Sequence, residues 1–415
     1  MQNDSRVGAN VRWLYLRLVI ETLADLITVR ILLTSLGACG YGSFAAVVGS
    51  VGTIGFFTGA FEAAARRFVC CSSSAFSPIL GLTFFIVIAL GMIVGLVSVV
   101  VLPYEASVSM PILGIVIIRI LRIPYEACIV ASERMRVFLF VSTVECTLTL
   151  GSALILFLLP FDSLKTYAGL RFATVLFAGV LVVGFVLRRH PVSRVCPVFG
   201  LDLVKPLFRF FSWHALGALA GLLKGNGIVI LLAACSGAMY CGAWDASMKI
   251  GVFLWGLIAN FRTAYLPGIV KAWASGNRLA FVGLTEGAFR CSLIGATLVC
   301  LPIVVFAQWL CWLWLGSAVP NETPMFLRMV VVQFFFEALA TPYDAAILAS
   351  GRIARYEIVL TMLIGSSFFM AWLALASGLP PWTSSGAVAL VNFFAFLYRL
   401  LHLRHVRMPD GTHAW

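Results

Sequence analysis

The sequence predicts an all-α polytopic membrane protein of about 12 transmembrane helices, arranged as two parallel six-helix lobes around a central cavity. Three observations predict it. The first is composition: of 415 residues, 61% are hydrophobic and only 11% charged, and the mean hydropathy is +1.02. A soluble domain carries roughly 25% charged residues, because its outside must be solvated by water. This chain cannot meet that demand, so its solvent is largely lipid, and disordered, collagenous or disulfide-stapled classes are excluded as well. The second observation is an alternation of basic and bare loops along the chain. The third is an internal repeat.

Taken in order, apolar windows and their Gly, Pro or charged interruptions place spans at 14–34, 43–64, 79–102, 110–131, 137–159 and 167–187. A second set follows at 212–234, 243–265, 281–306, 326–349, 356–376 and 384–403. The count makes the basic loops alternate as cytoplasmic loops should. Arg6 and Arg12 precede span one; Arg66 and Arg67, Arg134 and Arg136, and then Arg188, Arg189, Arg194, Lys205 and Arg209 mark the even loops. Lys271 and Arg278, Arg352 and Arg355, and Arg404 and Arg407 continue the pattern. The opposite loops carry no Lys or Arg apart from Lys165. Both termini are therefore expected in the cytoplasm, and the N-terminal stretch lacks the short apolar core and cleavage site of a signal peptide.

The repeat pairs PYEACIVASER, from Pro124, with PYDAAILASGR, from Pro342, at seven of eleven positions, with Glu126 facing Asp344. A weaker echo pairs ILLTSLGACGYG, from Ile31, with ILLAACSGAMYCG, from Ile230. Span four thus falls on span ten and span one on span seven. Six spans per repeat is an even number, so the halves run parallel, related by an axis along the membrane normal. The expected division is an N-terminal lobe at 1–187, a basic amphipathic linker at 188–211 and a C-terminal lobe at 212–415. In the linker Phe199, Leu203, Leu207 and Phe211 suit the membrane surface. Two similar lobes facing a central cavity form a transporter architecture.

Several ionisable residues fall inside spans. Each costs at least about 2.5 to 3.5 kcal/mol at mid-bilayer, so it must face water or a partner. Arg17, Glu21 and Asp25 share a helix face, as do Arg122 with Glu126, Asp245 with Lys249, and Glu286 with Arg290. Arg30, Arg119 and Lys224 have no opposite charge at helical spacing, and these three, with Lys249, are the candidate cavity residues for an anionic ligand. Glu21 and Asp25 are candidates for coupling to H⁺ or Na⁺ or for charge balance; Glu145 and Glu337 read as neutralising partners. Gly217, Gly221 and Gly225 beside Lys224 suit close helix approach or bending. Pro124 and Pro342 each remove a backbone hydrogen bond at matching places and are candidate hinges. The eleven cysteines read as small buried hydrophobes, Cys128, Cys146, Cys291, Cys300 and Cys311 among them, and no metal or cofactor is expected.

The segments WLYLRLVIETLADLITVRILLTSLGACGYGSFAAVVGSVGTIGFF, AARRF, RILRIPYEACIVASERMRVF and AYLPGIVKAWASGN together resemble the polysaccharide (O-antigen) flippases of the multidrug/oligosaccharidyl-lipid/polysaccharide (MOP) exporter superfamily, the superfamily that also holds the MATE transporters. The resemblance runs along almost the whole chain. It implies alternating access between two six-helix lobes and movement of undecaprenyl-pyrophosphate-linked oligosaccharide from the cytoplasmic to the periplasmic leaflet of the bacterial inner membrane. It also implies a role for Arg30, which stands where such flippases have an Arg. The chain departs from the pattern at Cys39 and Gly40, where an acid usually precedes the Tyr-Gly pair, here Tyr41 and Gly42. The implied partners are the lipid-linked oligosaccharide, membrane lipids, H⁺ or Na⁺, and the polysaccharide polymerase machinery, with no nucleic acid.

Competing classes are a MATE-type cation or drug antiporter, which would use acids in the cavity, and a lipid II flippase. A membrane-embedded polymerase or ligase would need a large outside loop, and a major-facilitator carrier would show a Gly and Asp-Arg signature absent from EAAARRFVCCSSS. No Walker motif, metal pattern or nucleophile elbow is present, so no enzyme activity is expected.

Overall fold

The computed structural model describes residues 2–54, 58, 61–62, 65, 76–98, 106–132, 135–158, 163–188, 217–316, 319–350 and 354–404. Every regular element among them is helical, as expected of a chain whose backbone must satisfy its own N–H and C=O groups in lipid. In chain order they are α1 (Gln2–Ile54), α2 (Phe76–Ser98), α3 (Ala106–Ala131), α4 (Met135–Leu158) and α5 (Ser163–Leu187). There follow α6 (Gly217–Cys235), α7 (Ala238–Ala274), α8 (Arg278–Val305) and the short α9 (Ala307–Leu315). The chain continues with α10 (Thr323–Ala349), α11 (Ala354–Ala376) and α12 (Thr383–Arg404).

Eight helices among the described residues are long and apolar enough to cross a membrane. The predicted spans outside that set fall on α2, α3, α7 and the second half of α1. The apolar part of α1, Tyr15–Thr53, has 39 residues, or roughly 58 Å at 1.5 Å per residue, about twice the hydrocarbon thickness. It therefore holds spans one and two together. The predicted loop at 35–42 is helical except at Gly37, whose φ of 70° and ψ of 173° break the helix in a region that an L side chain rarely adopts.

A second difference lies after span nine. Pro302 removes one bond from α8, which runs on to Val305; Phe306 then leaves helical geometry, and α9 follows where a bare loop is predicted. Ala307, Cys311 and Leu315 recur every four residues and form its buried face, while Trp309 and Trp312 are exposed.

The chain divides into two compact units, Met1–Ala218 and Leu219–Trp415; the predicted linker at 188–211 lies outside the described residues except Arg188. In unit 1, α1 packs on α4, α3 on α5, and α4 on α5. In unit 2, α6 packs on α11, α10 on α12, and α11 on α12, the same order of spans, with α10 also enclosed by α7 and α8. Each unit has its own apolar core, built around Phe61, Ile79 and Ile129 in the first and around Phe281, Tyr343 and Tyr356 in the second. Lipid is as apolar as Leu, so these contacts act through packing and not through exclusion of water. For the same reason Phe140, Leu158, Val180, Leu298 and Met362 are exposed without penalty.

The glycines of α6 divide by role. A Cβ at Gly217, Gly221 or Gly225 would meet nothing within 4 Å, so close approach is not their reason, contrary to one of the two expectations. Instead the helix widens into a π-turn at Leu223–Gly227, a feature that changes helix register and direction. The close approach is at Gly227, where a Cβ would lie 2.9 Å from the Phe368 ring. We expect Gly227→Ala to lower stability by about 1 to 3 kcal/mol through overpacking, and Gly225→Ala to leave it unchanged or raise it. Thermal unfolding of the purified protein in detergent checks both.

Candidate functional site

The candidate site is the set of charges held within the helices. In unit 1 it starts from α3, where Arg119, Arg122 and Glu126 follow one another at spacings of three and four and so share a face. Arg122 is nearly buried, and its Nε donates to Glu126 Oε1 at 3.0 Å. Its Nη1 donates to Glu145 Oε2 on α4 at 2.7 Å. Arg119 approaches the other Glu145 oxygen at 3.7 Å, beyond hydrogen-bond range, and its side chain is 56% exposed. Glu145 thus neutralises the arginines, as the sequence suggests, but Arg122 is its tight partner.

On α1, Arg17 Nε donates to Glu21 Oε1 at 2.6 Å, the pair predicted from their spacing. The Arg17 guanidinium also lies 4.2 Å from the Phe138 ring centroid, a cation–π contact from α1 to α4. Asp25 is one turn further along, half-buried, and forms no ion pair with a described residue closer than 4 Å. Arg30 is exposed and engages a further group. Arg171 of α5 donates to Thr149 of α4, a contact that spacing within one helix could not indicate.

In unit 2, Lys224 lies in the π-turn of α6 and forms an ion pair with Glu337 of α10, 113 residues away in sequence. Glu337 is buried; its second oxygen, Oε2, and Gln333 Oε1 one turn earlier are buried acceptors with no hydrogen-bond partner among the described residues. A buried acceptor left unpaired costs about 1 to 3 kcal/mol, so this face of α10 has room for a hydrogen-bond donor that the described residues do not supply. Lys249 of α7 is half-buried and engages a further group.

The positions of this pair carry opposite charges in the two repeats. Five residues before the repeated prolines stand Arg119 and Glu337; six residues before Ile31 and Ile230 stand Asp25 and Lys224. The acid of one unit therefore matches the base of the other at both positions.

A second cluster in unit 2 is one that sequence reasoning missed. Asp344 of α10 accepts from the Tyr356 hydroxyl of α11. It also faces Arg262 of α7 at 3.4 Å and Arg399 of α12 at 3.5 Å, and Arg399 Nε donates to the Tyr356 hydroxyl at 3.0 Å. Four helices meet at one carboxylate. The repeat marks Asp344 as the counterpart of Glu126, but nothing in linear spacing connects it to arginines on other helices. Pro124 and Pro342 both lie inside their helices, which continue past them to Ala131 and Ala349. Among the described residues no cluster of His, Cys, Asp and Glu could hold a metal ion.

No family model matches the chain, and no curated protein matches it either. Solved structures do, and they share its fold. An inward-facing multidrug resistance MATE family transporter of the MOP superfamily is similar with a TM-score of 0.71 at 14% identity, over 94% of this chain and 97% of that one. The lipid II flippase MurJ, in an inward closed conformation, is similar with a TM-score of 0.73 at 10% identity, over 94% of this chain and 87% of that one. A MOP superfamily transporter from Pyrococcus furiosus, whose binding pocket is described as having reverse polarity, gives 0.65 at 15% identity, over 95% and 94%. The all-helical, MATE/MOP-like fold class expected from the sequence is the one observed.

The Lys224–Glu337 pair yields a test. Lys224→Met leaves an unpaired carboxylate in a buried site and should cost about 3 to 5 kcal/mol. The double variant Lys224→Met with Glu337→Leu should recover most of that loss, read as thermal unfolding in detergent.

Proposed function

We propose that the chain is an alternating-access flippase that moves a polyprenyl-pyrophosphate-linked oligosaccharide across the bacterial inner membrane. The observation that carries the reading is the exposure of Arg30 and of the Arg119 side chain within helical spans, in a fold shared over 94% of the chain with a lipid II flippase. A pyrophosphate cannot cross hydrocarbon unshielded, and guanidinium forks pair with its oxygens while the lipid tail stays in the bilayer. Arg30 and Arg119 act as the primary contacts, with Lys224 and Lys249 contributing from unit 2. Glu21 and Asp25 balance charge or take the coupling H⁺ or Na⁺. The polysaccharide polymerase machinery receives the product on the far side, and both termini lie in the cytoplasm. Lys224 contributes a weaker field than an unpaired amine because Glu337 is beside it.

A second reading, a cation or drug antiporter, draws support from the same pairing. Nearly every buried cation has an acid close by, as in Lys224 with Glu337 and Arg122 with Glu126 and Glu145, and the similar structures include multidrug transporters.

The two readings separate in one experiment. Deleting the gene should cause a complete lipid-linked repeat unit to accumulate in the lipid extract, seen by mass spectrometry, while the matching surface polysaccharide disappears. Unchanged lipid-linked sugars with heightened sensitivity to cationic drugs would replace the flippase with the antiporter. In complementation, Arg30→Ala and Arg119→Ala should each reduce export at least tenfold with unchanged membrane abundance. The second leaves the Arg122–Glu145 bond in place, so its effect reports on substrate and not on folding.

A further inference from the structure

The helices of unit 1 do not close on one another everywhere. α3 packs on α5, and at Gly179 the approach is tight: a Cβ there would lie 3.1 Å from Ile118 Cγ2 and 3.5 Å from Arg122 Cδ. At Gly184, further along α5, a Cβ would meet nothing within 4 Å. The space beside α5 therefore opens between the two glycines.

The opening is a groove of about 390 Å³ among α2, α3 and α5, with Phe84, Leu121, Tyr125, Val180 and Leu187 along its walls. Its lining is apolar apart from Arg122 and Tyr125, and Arg122 is already held by Glu126 and Glu145. Leu176, Val180 and Leu187 are exposed, so the groove is open along one side. A slot lined by hydrocarbon offers water no partners, whereas an alkyl chain gains dispersion contacts along its whole length.

The depth and length of the groove match one leaflet. All three helices contribute from the half that borders the basic loops. Phe84 stands near the start of α2, after Arg66 and Arg67; Tyr125 stands near the end of α3, ahead of Arg134; Leu187 ends α5. Along α5 the lining runs from Leu176 to Leu187, roughly 16 Å at 1.5 Å per residue. Half of a hydrocarbon core of ~30 Å is about the same length.

The mouth of the groove carries a charge. Leu176, Val180, Gly184 and Arg188 recur every four residues and so share a face of α5. Helical geometry carries through to the last of them, because the Arg188 N–H donates to the Gly184 carbonyl at 3.1 Å. Arg188 is exposed, no carboxylate among the described residues lies within 4 Å of it, and Arg189 follows in sequence. A guanidinium with open donors thus stands at headgroup depth, where a phosphate is its natural partner.

We propose that this groove binds one acidic glycerophospholipid of the leaflet on the basic-loop side, an acyl chain lying along α5 between Leu176 and Leu187 and the headgroup phosphate resting on Arg188. A polyprenyl chain is longer than one leaflet is thick and would leave most of its length outside the groove. Neither Arg30 nor Arg119 lines the groove, so the site is separate from the contacts assigned to the transported substrate and does not depend on the flippase reading.

The test uses the purified full chain, stripped of lipid and titrated with phosphatidylglycerol, with phosphatidylethanolamine of the same acyl chains, and with undecaprenyl phosphate, bound lipid being counted by native mass spectrometry. One phosphatidylglycerol should be retained at least tenfold more tightly than phosphatidylethanolamine. Gly184→Leu, or Val183→Phe where the first does not fold, should fill the groove and remove that adduct. Arg188→Ala should keep a bound phospholipid but bring the two headgroups to equal retention. Phosphatidylglycerol carrying a diazirine in its acyl chain should cross-link on illumination to the segments 118–125 and 176–187. Equal retention of the two phospholipids by the unaltered protein, retention unchanged by both fillings, or cross-links confined to other helices overturns the proposal. Undecaprenyl phosphate displacing an equal amount of phosphatidylglycerol also overturns it, by giving the groove to a polyprenyl chain.

Discussion

An ionised group in hydrocarbon costs at least about 2.5 to 3.5 kcal/mol even on a lenient scale, and the organisation of this protein follows from that penalty. The core helices are built from residues that ask nothing of one another beyond fit, and packing in lipid supplies no strong preference among partners. The charges do. Glu145 between Arg119 and Arg122 fixes α3 against α4, Lys224 with Glu337 fixes α6 against α10, and Asp344 gathers α7, α11 and α12 around α10. Each bond is directional and has few substitutes, so it decides which helices are neighbours as well as how strongly they hold.

The repeat makes the consequences visible, because it presents related segments twice. The order of helix packing is preserved between the units, yet the charges at positions 25 and 119 are reversed at 224 and 337, and the acid after the proline is wired differently. Glu126 finds its base one turn away on its own helix. Asp344 has Ala340 at the corresponding place and must take its bases from other helices. The same repeat position thus holds a local pair in one unit and a junction of four helices in the other.

The charge balance also sets how much of each cation's field is left unopposed. An unpaired cation inside a span attracts any anion, whereas one held by an acid offers only its residual field and its remaining donors. Arg122 is committed on both sides by bonds of 2.7 and 2.8 Å. Arg119 is not: its contact to Glu145 is long and its guanidinium exposed. Two arginines three residues apart on one helix thus differ in how fully their charge is balanced.

Composition and periodicity were enough for the solvent and the helical class, because hydropathy is written along one dimension. Pairs at spacing four, Arg17 with Glu21 and Arg122 with Glu126, were legible for the same reason: a helix converts linear spacing into contact. The break at Gly37, the π-turn around Lys224 and the extra helix at Ala307–Leu315 were not, since each depends on how a segment meets its neighbours. Arg119, Lys224 and the arginines at 262 and 399 show the limit most clearly. Sequence identified the first two as charges in need of an explanation, but only the tertiary structure decided that their partners stand on other helices, because contact between helices depends on packing geometry and not on distance along the chain.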